Sequence, residues 1–290
     1  MTPLLISGPT ASGKSALALS AAAESNGVII NADASQIYDG WRVLTARPSV
    51  EDEAQADHRL YGYVDPATRF SVGDWLRDVA ALLPTLEGRR PIFVGGTGLY
   101  FRALTEGLAE IPQPSEEVRA RIADRLSAEG TAGLAADLMA RDKATADITD
   151  LNNHMRVARA LEVLEETGKG MAAWRAETPP PLIPDAEKIL VLPDRAHLYT
   201  RCDARFDLMI QGGALAEAKA MQARGLDPIL PAMKAVGAPE LFAYLKGEMT
   251  MEQAGESAKQ ATRNYAKRQM TWMRNRMKDW TIVNPMEQPK

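Results

Sequence analysis

The sequence contains a single cysteine, Cys202, so neither an intrachain disulfide nor a cysteine zinc site can form. Its three histidines, His58, His154 and His197, are scattered and read as hydrogen-bonded structural residues, not metal ligands. No apolar run approaches the roughly 20 residues that a membrane-spanning helix requires. Met1 leads straight into a strand-like segment, with no signal-peptide pattern, so a cytoplasmic protein is expected. Internal repeats and low-complexity tracts are lacking as well. What remains is ordinary for a globular protein: 46% hydrophobic and 25% charged residues in a chain of 290, enough for one large domain and a smaller one.

The net charge of −4 gives no sign of an anionic partner, yet acidic residues are missing from one stretch. Lys259, Arg263, Lys267, Arg268, Arg274, Arg276 and Lys278 follow one another with no Asp or Glu between them. Such a stripe is either a solvated helix face or the footprint of a phosphate-rich partner. Composition leaves both open.

The segment Gly8-Pro9-Thr10-Ala11-Ser12-Gly13-Lys14-Ser15 fits G-x-x-x-x-G-K-[ST], a loop whose backbone N–H groups wrap a chain of phosphates. Leu4-Leu5-Ile6 before it reads as a buried strand, and Ser15 to Ala23 after it as a helix. A helix N-terminus offers unpaired N–H groups and a positive dipole end to an anion. Thr10 to Ser15 are therefore the candidate phosphate cradle, with Lys14 reaching the terminal phosphates and the Ser15 hydroxyl ligating Mg²⁺.

Strand and helix patterns alternate through the first third. Gly27 to Asp33 reads as a strand ending in an acid, Val72 to Leu86 as a helix, and Pro91 to Gly96 as a strand ending in a glycine turn. This rhythm predicts an α/β fold, a parallel sheet flanked by helices like that of the P-loop NTPases. Ligands of such sheets sit beyond the carboxyl ends of the strands, where the loop, Asp33 and Gly95-Gly96-Thr97 all fall. Pro112 and Pro114 then break the pattern, Ser115 starts a helical block, and Thr178-Pro179-Pro180-Pro181 closes it. Residues 112–184 thus read as an all-helical insertion between 1–111 and 185–290. After the strand Lys188 to Leu192, helices are expected over Ala196–Gly225, Pro239–Lys246 and Thr250–Lys278.

Lys14 and Ser15 alone point to an ATP-binding NTPase or a small kinase. Such enzymes usually carry an acid at the end of a further apolar strand to hold Mg²⁺. Here Pro91 to Val94 runs into Gly95-Gly96-Thr97-Gly98-Leu99-Tyr100 instead. The glycines allow close approach of backbone to a ligand. Asp33 can be a metal ligand or a general base. Gln36 and Tyr38 just behind it can address an adenine edge and stack on a base, which a simple metal ligand does not need.

The chain resembles the tRNA dimethylallyltransferases (tRNA isopentenyltransferases) over nearly its whole length. The matching segments, in order, are Gly8–Ser15, Asp33–Tyr38, Gly95–Tyr100, Arg156-Val157-Ala158-Arg159-Ala160-Leu161-Glu162 and Thr262–Trp272. The resemblance implies transfer of a dimethylallyl group from its diphosphate to N6 of the adenine 3′ of certain anticodons, at position 37 of tRNAs that read codons starting with U. It implies that the loop holds a departing diphosphate, with Lys14, Arg263 and Mg²⁺ stabilising its charge. It implies Asp33 as the base that takes the N6 proton and Thr97 as its catalytic neighbour. Asp33, Ala34, Ser35, Gln36, Thr97, Arg119, Arg156, Arg159, Lys267 and Arg274 would contact the tRNA, the helical insertion gripping the anticodon stem-loop. The enzyme is expected to act as a monomer.

Two departures stand out. Ala34 occupies a position that is usually Ser in the family, and Ala238-Pro239 follow Val236-Gly237 where an aromatic and a basic residue are common. Two rival readings remain: a nucleotide or small-metabolite kinase, and a non-catalytic RNA-binding protein that keeps the loop as a relic.

Overall fold

The structure is a computed structural model that describes residues 1–284. In chain order its elements are β1 (Leu4–Ser7), α1 (Lys14–Ser25), β2 (Val28–Asn31), α2 (Val50–Gln55), β3 (Asp57–Arg59), α3 (Val72–Leu82), β4 (Pro91–Gly95) and α4 (Gly98–Glu106). There follow α5 (Glu116–Arg141), α6 (Lys143–Asp147), α7 (His154–Thr167), α8 (Met171–Ala176), β5 (Glu187–Val191), α9 (Arg195–Gln211), α10 (Ala214–Ala223), α11 (Ala238–Leu245), α12 (Met251–Arg276) and β6 (Thr281–Val283).

The six strands form one all-parallel sheet in the order β3-β2-β4-β1-β5-β6. Its central strands carry continuous apolar runs because both faces are covered. Leu4, Ile6, Ile29, Ile92 and Val94 pack on Ala18 and Ala22 of α1. The alternate positions Leu5, Ile30 and Phe93 are also fully buried. In-register pairing of Ser7 with Gly95 and of Asn31 with Val94 brings the ends of β1, β2 and β4 level. The loops that follow these three strands therefore share one edge of the sheet.

Several expected elements need correction. The helix from Val72 is capped by Ser71, whose hydroxyl accepts the Asp74 N–H, but it stops at Leu82 and tightens to a 3₁₀ turn over Leu83–Leu86. Pro84 explains this, since it lacks an N–H and cannot continue the ladder. The span Ala196–Gly225 is two helices, α9 and α10, parted at Gly212-Gly213. β3, with the polar sequence Asp-His-Arg, carries too little hydrophobic signal to be read as a strand, and the edge strand β6, Thr-Ile-Val, is too short to stand out. They exist through pairing with β2 and β5.

Two compact units are distinguished: Met1–Thr105 with the chain from Ile183 onward, and Glu106–Leu182. These boundaries lie six residues before and two before the sequence-derived ones at 112 and 184, and residues 285–290 of the 185–290 segment lie outside the described residues. The second unit is wholly helical. Ser115 caps α5 by accepting the Val118 N–H, and Val118, Ile122, Leu134, Leu138, Val157 and Leu161 form its core across α5 and α7. In the first unit, Thr250 and Gln253 make a capping box at the start of α12. Ala266, Met270 and Met273 bury one face of α12, Ala266 and Met270 packing with Leu198 and Cys202 of α9 and with Ala11 of the phosphate loop.

Candidate active site

The phosphate loop leaves β1 and turns into α1 without any side-chain cap at Gly13, which adopts φ 95°. The first N–H groups of α1 are therefore left for a ligand. Two bonds hold the loop's far side. The Thr10 N–H donates to Gln269 Oε1 at 2.9 Å, and Arg205 of α9 donates to the Thr10 hydroxyl. Ser12 is fully buried and its Oγ has no partner. Lys14 bends back so that Nζ donates to the Pro9 carbonyl at 3.3 Å. Desolvation lowers its pKa to about 8, opposed by the nearby Asp33 carboxylate and reinforced by Arg205. Desolvation lowers Arg205 too. Lys14, Arg205 and Asp33 thus belong to one electrostatic neighbourhood, although 195 residues separate Thr10 from Arg205.

Asp33 follows β2 and is buried. The Asn31 side chain braces it on both sides, accepting the Asp33 N–H at 2.8 Å and donating to the Asp33 carbonyl at 3.0 Å. The carboxylate accepts the Ser35 N–H at 3.0 Å and the Ser35 hydroxyl at 2.7 Å on Oδ1, and the Gly96 N–H at 3.3 Å on Oδ2. A carboxylate offers about four acceptor positions, so Oδ2 retains one for an incoming proton. Thr97 Oγ1 accepts the Ala34 N–H at 2.9 Å, tying the end of β4 to that of β2.

Gly96 shows why this turn carries glycine. A Cβ there would lie 2.2 Å from Gln269 Nε2 and 3.1 Å from Asp33 Oδ2. The space is taken by Gln269, a buried residue of α12 that donates to the Gly96 carbonyl at 3.0 Å while accepting the Thr10 N–H. Gln269 therefore links the phosphate loop to the glycine turn. Sequence reasoning found neither Gln269 nor Arg205, because nothing local marks a residue whose partner is 259 or 195 positions away.

Two candidate residues have partners within the protein. Both amide hydrogens of Gln36 are committed, to the carbonyls of Thr45 at 2.8 Å and Ala46 at 2.7 Å, so this side chain organises a neighbouring turn instead of presenting a donor to a base. Arg263 is paired with both oxygens of Asp203 at 2.6 Å and with Gln260 at 2.8 Å. Its charge is met within α9 and α12, and Arg205 is the arginine on the loop.

Of the other basic candidates, Lys267 and Arg274 are exposed on α12. In the helical unit, Arg156 is exposed, while Arg119 and the half-buried Arg159 lie close enough for Arg119 to depress the Arg159 pKa, which desolvation already lowers. Glu162 stands 3.7 Å from Arg159. In the loop before α11, Gly237 serves as N-cap and Ala238 is fully buried.

For a metal, the Ser15 hydroxyl lines a cavity with Lys14 and Asp52. Among the described residues no three His, Cys, Asp or Glu side chains are grouped to hold an ion. One hydroxyl together with phosphate oxygens and waters is a donor set that suits Mg²⁺ arriving with a diphosphate.

A profile described as IPP transferase matches residues 36–276. A tRNA dimethylallyltransferase of Ruegeria sp. is 57% identical over 98% of this chain and 96% of its own length. One from Bradyrhizobium sp. is 50% identical over 97% and 93%. Among solved structures, the tRNA isopentenylpyrophosphate transferase of Bacillus halodurans superposes with a TM-score of 0.69 at 33% identity, covering 98% of this chain and 89% of that one. A eukaryotic dimethylallyltransferase acting on tRNA shares the fold, with a TM-score of 0.83 at 24% identity over 99% of this chain and 75% of its own. A phosphate loop with no acid at the end of β4, a braced carboxylate opposite it and near full-length identity to these enzymes lead to one conclusion: the chain belongs to the IPP transferase family.

Proposed function

We propose that this chain transfers a dimethylallyl group from dimethylallyl diphosphate to N6 of the adenosine 3′ of the anticodon in tRNAs that read codons starting with U. The observation that carries this reading is the pairing of Asp33 with a cationic phosphate loop. The curated relatives act on tRNA with the dimethylallyl donor their names state, and this chain spans nearly all of their length.

The loop N–H groups, Lys14 and Arg205 hold the diphosphate and stabilise the charge that grows on it as the allylic C–O bond breaks. The adenine N6 lone pair forms the new C–N bond, and the proton it sheds passes to the free position of Asp33 Oδ2. Fixed by Ser35, Gly96 and Asn31, the carboxylate needs no rearrangement to accept it. The Ser15 hydroxyl would hold Mg²⁺, which when bound would further neutralise the leaving diphosphate. The adenine must leave its stack to reach Asp33. Arg119, Arg156 and Arg159 of the helical unit and Lys267 and Arg274 of α12 serve RNA phosphates. No helix among the described residues is long and apolar enough to cross a membrane. In this reading the enzyme acts as a monomer in the cytoplasm, where its tRNA is.

The test is to incubate the purified protein with unmodified tRNA, dimethylallyl diphosphate and Mg²⁺, then resolve the nucleosides by mass spectrometry. Dimethylallyl adenosine is expected without ATP. A product that appears only with ATP, or no modified adenosine at all, would overturn the reading.

A further inference from the structure

Arg47 lines the phosphate-loop cavity as a cation with no directly paired carboxylate, although Asp39, Glu53 and Glu217 are near enough to favour its charge. Its guanidinium makes no hydrogen bond or ion pair with any described residue, and its Nε is buried without a partner. Desolvation lowers its pKa. The acids around it are engaged elsewhere. Glu53 pairs with Arg42 at 2.6 Å, Glu217 accepts the N–H groups of Arg42, Val43 and Leu44, and Asp39 accepts the Gly40 N–H.

The position of Arg47 is nonetheless over-determined. Gln36 clamps the carbonyls of Thr45 and Ala46, and Ala46 is held at φ 51°, a conformation unfavourable for alanine. The Arg47 N–H donates to the Arg42 carbonyl at 2.9 Å. The guanidinium lies on Gly62, where a Cβ would come within 1.7 Å of Nη1, and the Gly62 N–H is itself fixed to the Gln36 carbonyl at 2.9 Å. Backbone strain, the half-buried Gln36 clamp and a side-chain-free platform together fix where this unpaired guanidinium sits. It shares a cavity of about 50 Å³ with Lys14, Ser15, Gln36, Asp52 and Tyr61, room for more than one water. The one carboxylate there, Asp52, accepts the Ser49 N–H at 3.0 Å in the cap of α2.

We propose that Arg47 is a ligand of the donor's diphosphate, its guanidinium taking a phosphate oxygen from the cavity side while the loop N–H groups and Lys14 hold the rest. This rests on the reading of Gly8–Ser15 as a diphosphate site. A guanidinium can bind phosphate through two parallel hydrogen bonds, which an ammonium cannot reproduce. An arginine kept for stability would be paired, since an unpaired desolvated charge destabilises a fold.

The experiment measures binding of inorganic pyrophosphate with Mg²⁺ by calorimetry for wild type, Arg47→Met and Arg47→Lys, with a thermal melt of each. Arg47→Met is expected to weaken pyrophosphate about tenfold or more and to melt no lower than wild type, with Arg47→Lys recovering part of the loss. The KM for dimethylallyl diphosphate should rise in step while tRNA affinity stays within about twofold. Unchanged pyrophosphate binding in Arg47→Met overturns the proposal, whether the variant melts lower (a structural arginine) or loses tRNA affinity alone (an RNA contact). Wild type that binds no pyrophosphate overturns the diphosphate reading itself, a failure visible before any variant is made.

Discussion

Around the phosphate loop the polar groups are short of partners, whereas Asp33 is held by partners on its main chain and on both carboxylate oxygens, with one acceptor position left on Oδ2. On the loop side, the Ser12 Oγ and the Arg47 Nε are buried and unpaired, and Lys14 Nζ makes a long 3.3 Å bond to the Pro9 carbonyl. On the other side, Asp33 accepts three hydrogen bonds, Asn31 fixes its main chain, and Thr97 fixes that of Ala34. The proposed function accounts for the difference. Clustered cations repel and are desolvated, so in that reading the loop is completed when the diphosphate brings the missing charge. A base must be in place before its substrate arrives, and in that reading the protein alone secures the geometry of Asp33.

The largest break in this contrast should come from Asp33→Ala. Loss of a general base lowers the rate by about 10²–10⁴-fold. Single-turnover transfer should fall by that much, with tRNA affinity in a filter-binding assay changed no more than a few-fold. A parallel loss of affinity would make Asp33 a binding residue. Next is Arg205→Met, where removal of one charge-stabilising group costs about 10²–10³-fold in rate. Here kcat/KM for dimethylallyl diphosphate should fall while Arg263→Met falls less, and the reverse order would return the loop-side role to Arg263.

A smaller effect comes from pH. Lys14, whose pKa burial lowers to about 8, is cationic below that value and neutral above it. Pyrophosphate affinity should be level below pH 8 and decline by at most about tenfold per unit above it, with proton uptake on binding visible as a buffer-dependent enthalpy. A flat profile to pH 10 would mean that Lys14 does not meet the anion. Smallest is Lys267→Gln on the exposed face of α12, expected to weaken tRNA binding a few-fold and reduce the salt slope by about one. No change in slope would leave that face merely solvated.

Much of this site was legible in the sequence, and the limits are instructive. The phosphate loop, Asp33 and the Gly95-Gly96-Thr97 turn could be placed at strand ends because strand, turn and helix signals lie within about ten residues of one another. The apolar stripe of Ala266, Met270, Met273 and Met277 was readable from helical spacing, and all four residues are buried. Gln36 was read from residue type and Arg263 from the family resemblance, and neither reading could show the partners these side chains have in the fold: two carbonyls for the amide, Asp203 for the guanidinium. β3 could not be read at all, since Asp57-His58-Arg59 is a strand only because β2 lies beside it.

Local chemistry and periodicity were enough to place a parallel sheet with a glycine-rich loop at one strand end, a helical unit and an acid at the neighbouring strand end. Backbone conformation and hydrophobic spacing act over a few residues, so they are written in the order of the chain. The contact of Arg205 with the loop, the bridge made by Gln269 and the platform that Gly62 gives Arg47 arise only in the packed fold. Each depends on which side chains meet when α9, α12 and the turn before α2 close on the sheet, and a hydrogen bond across 195 or 259 residues leaves no trace in local sequence.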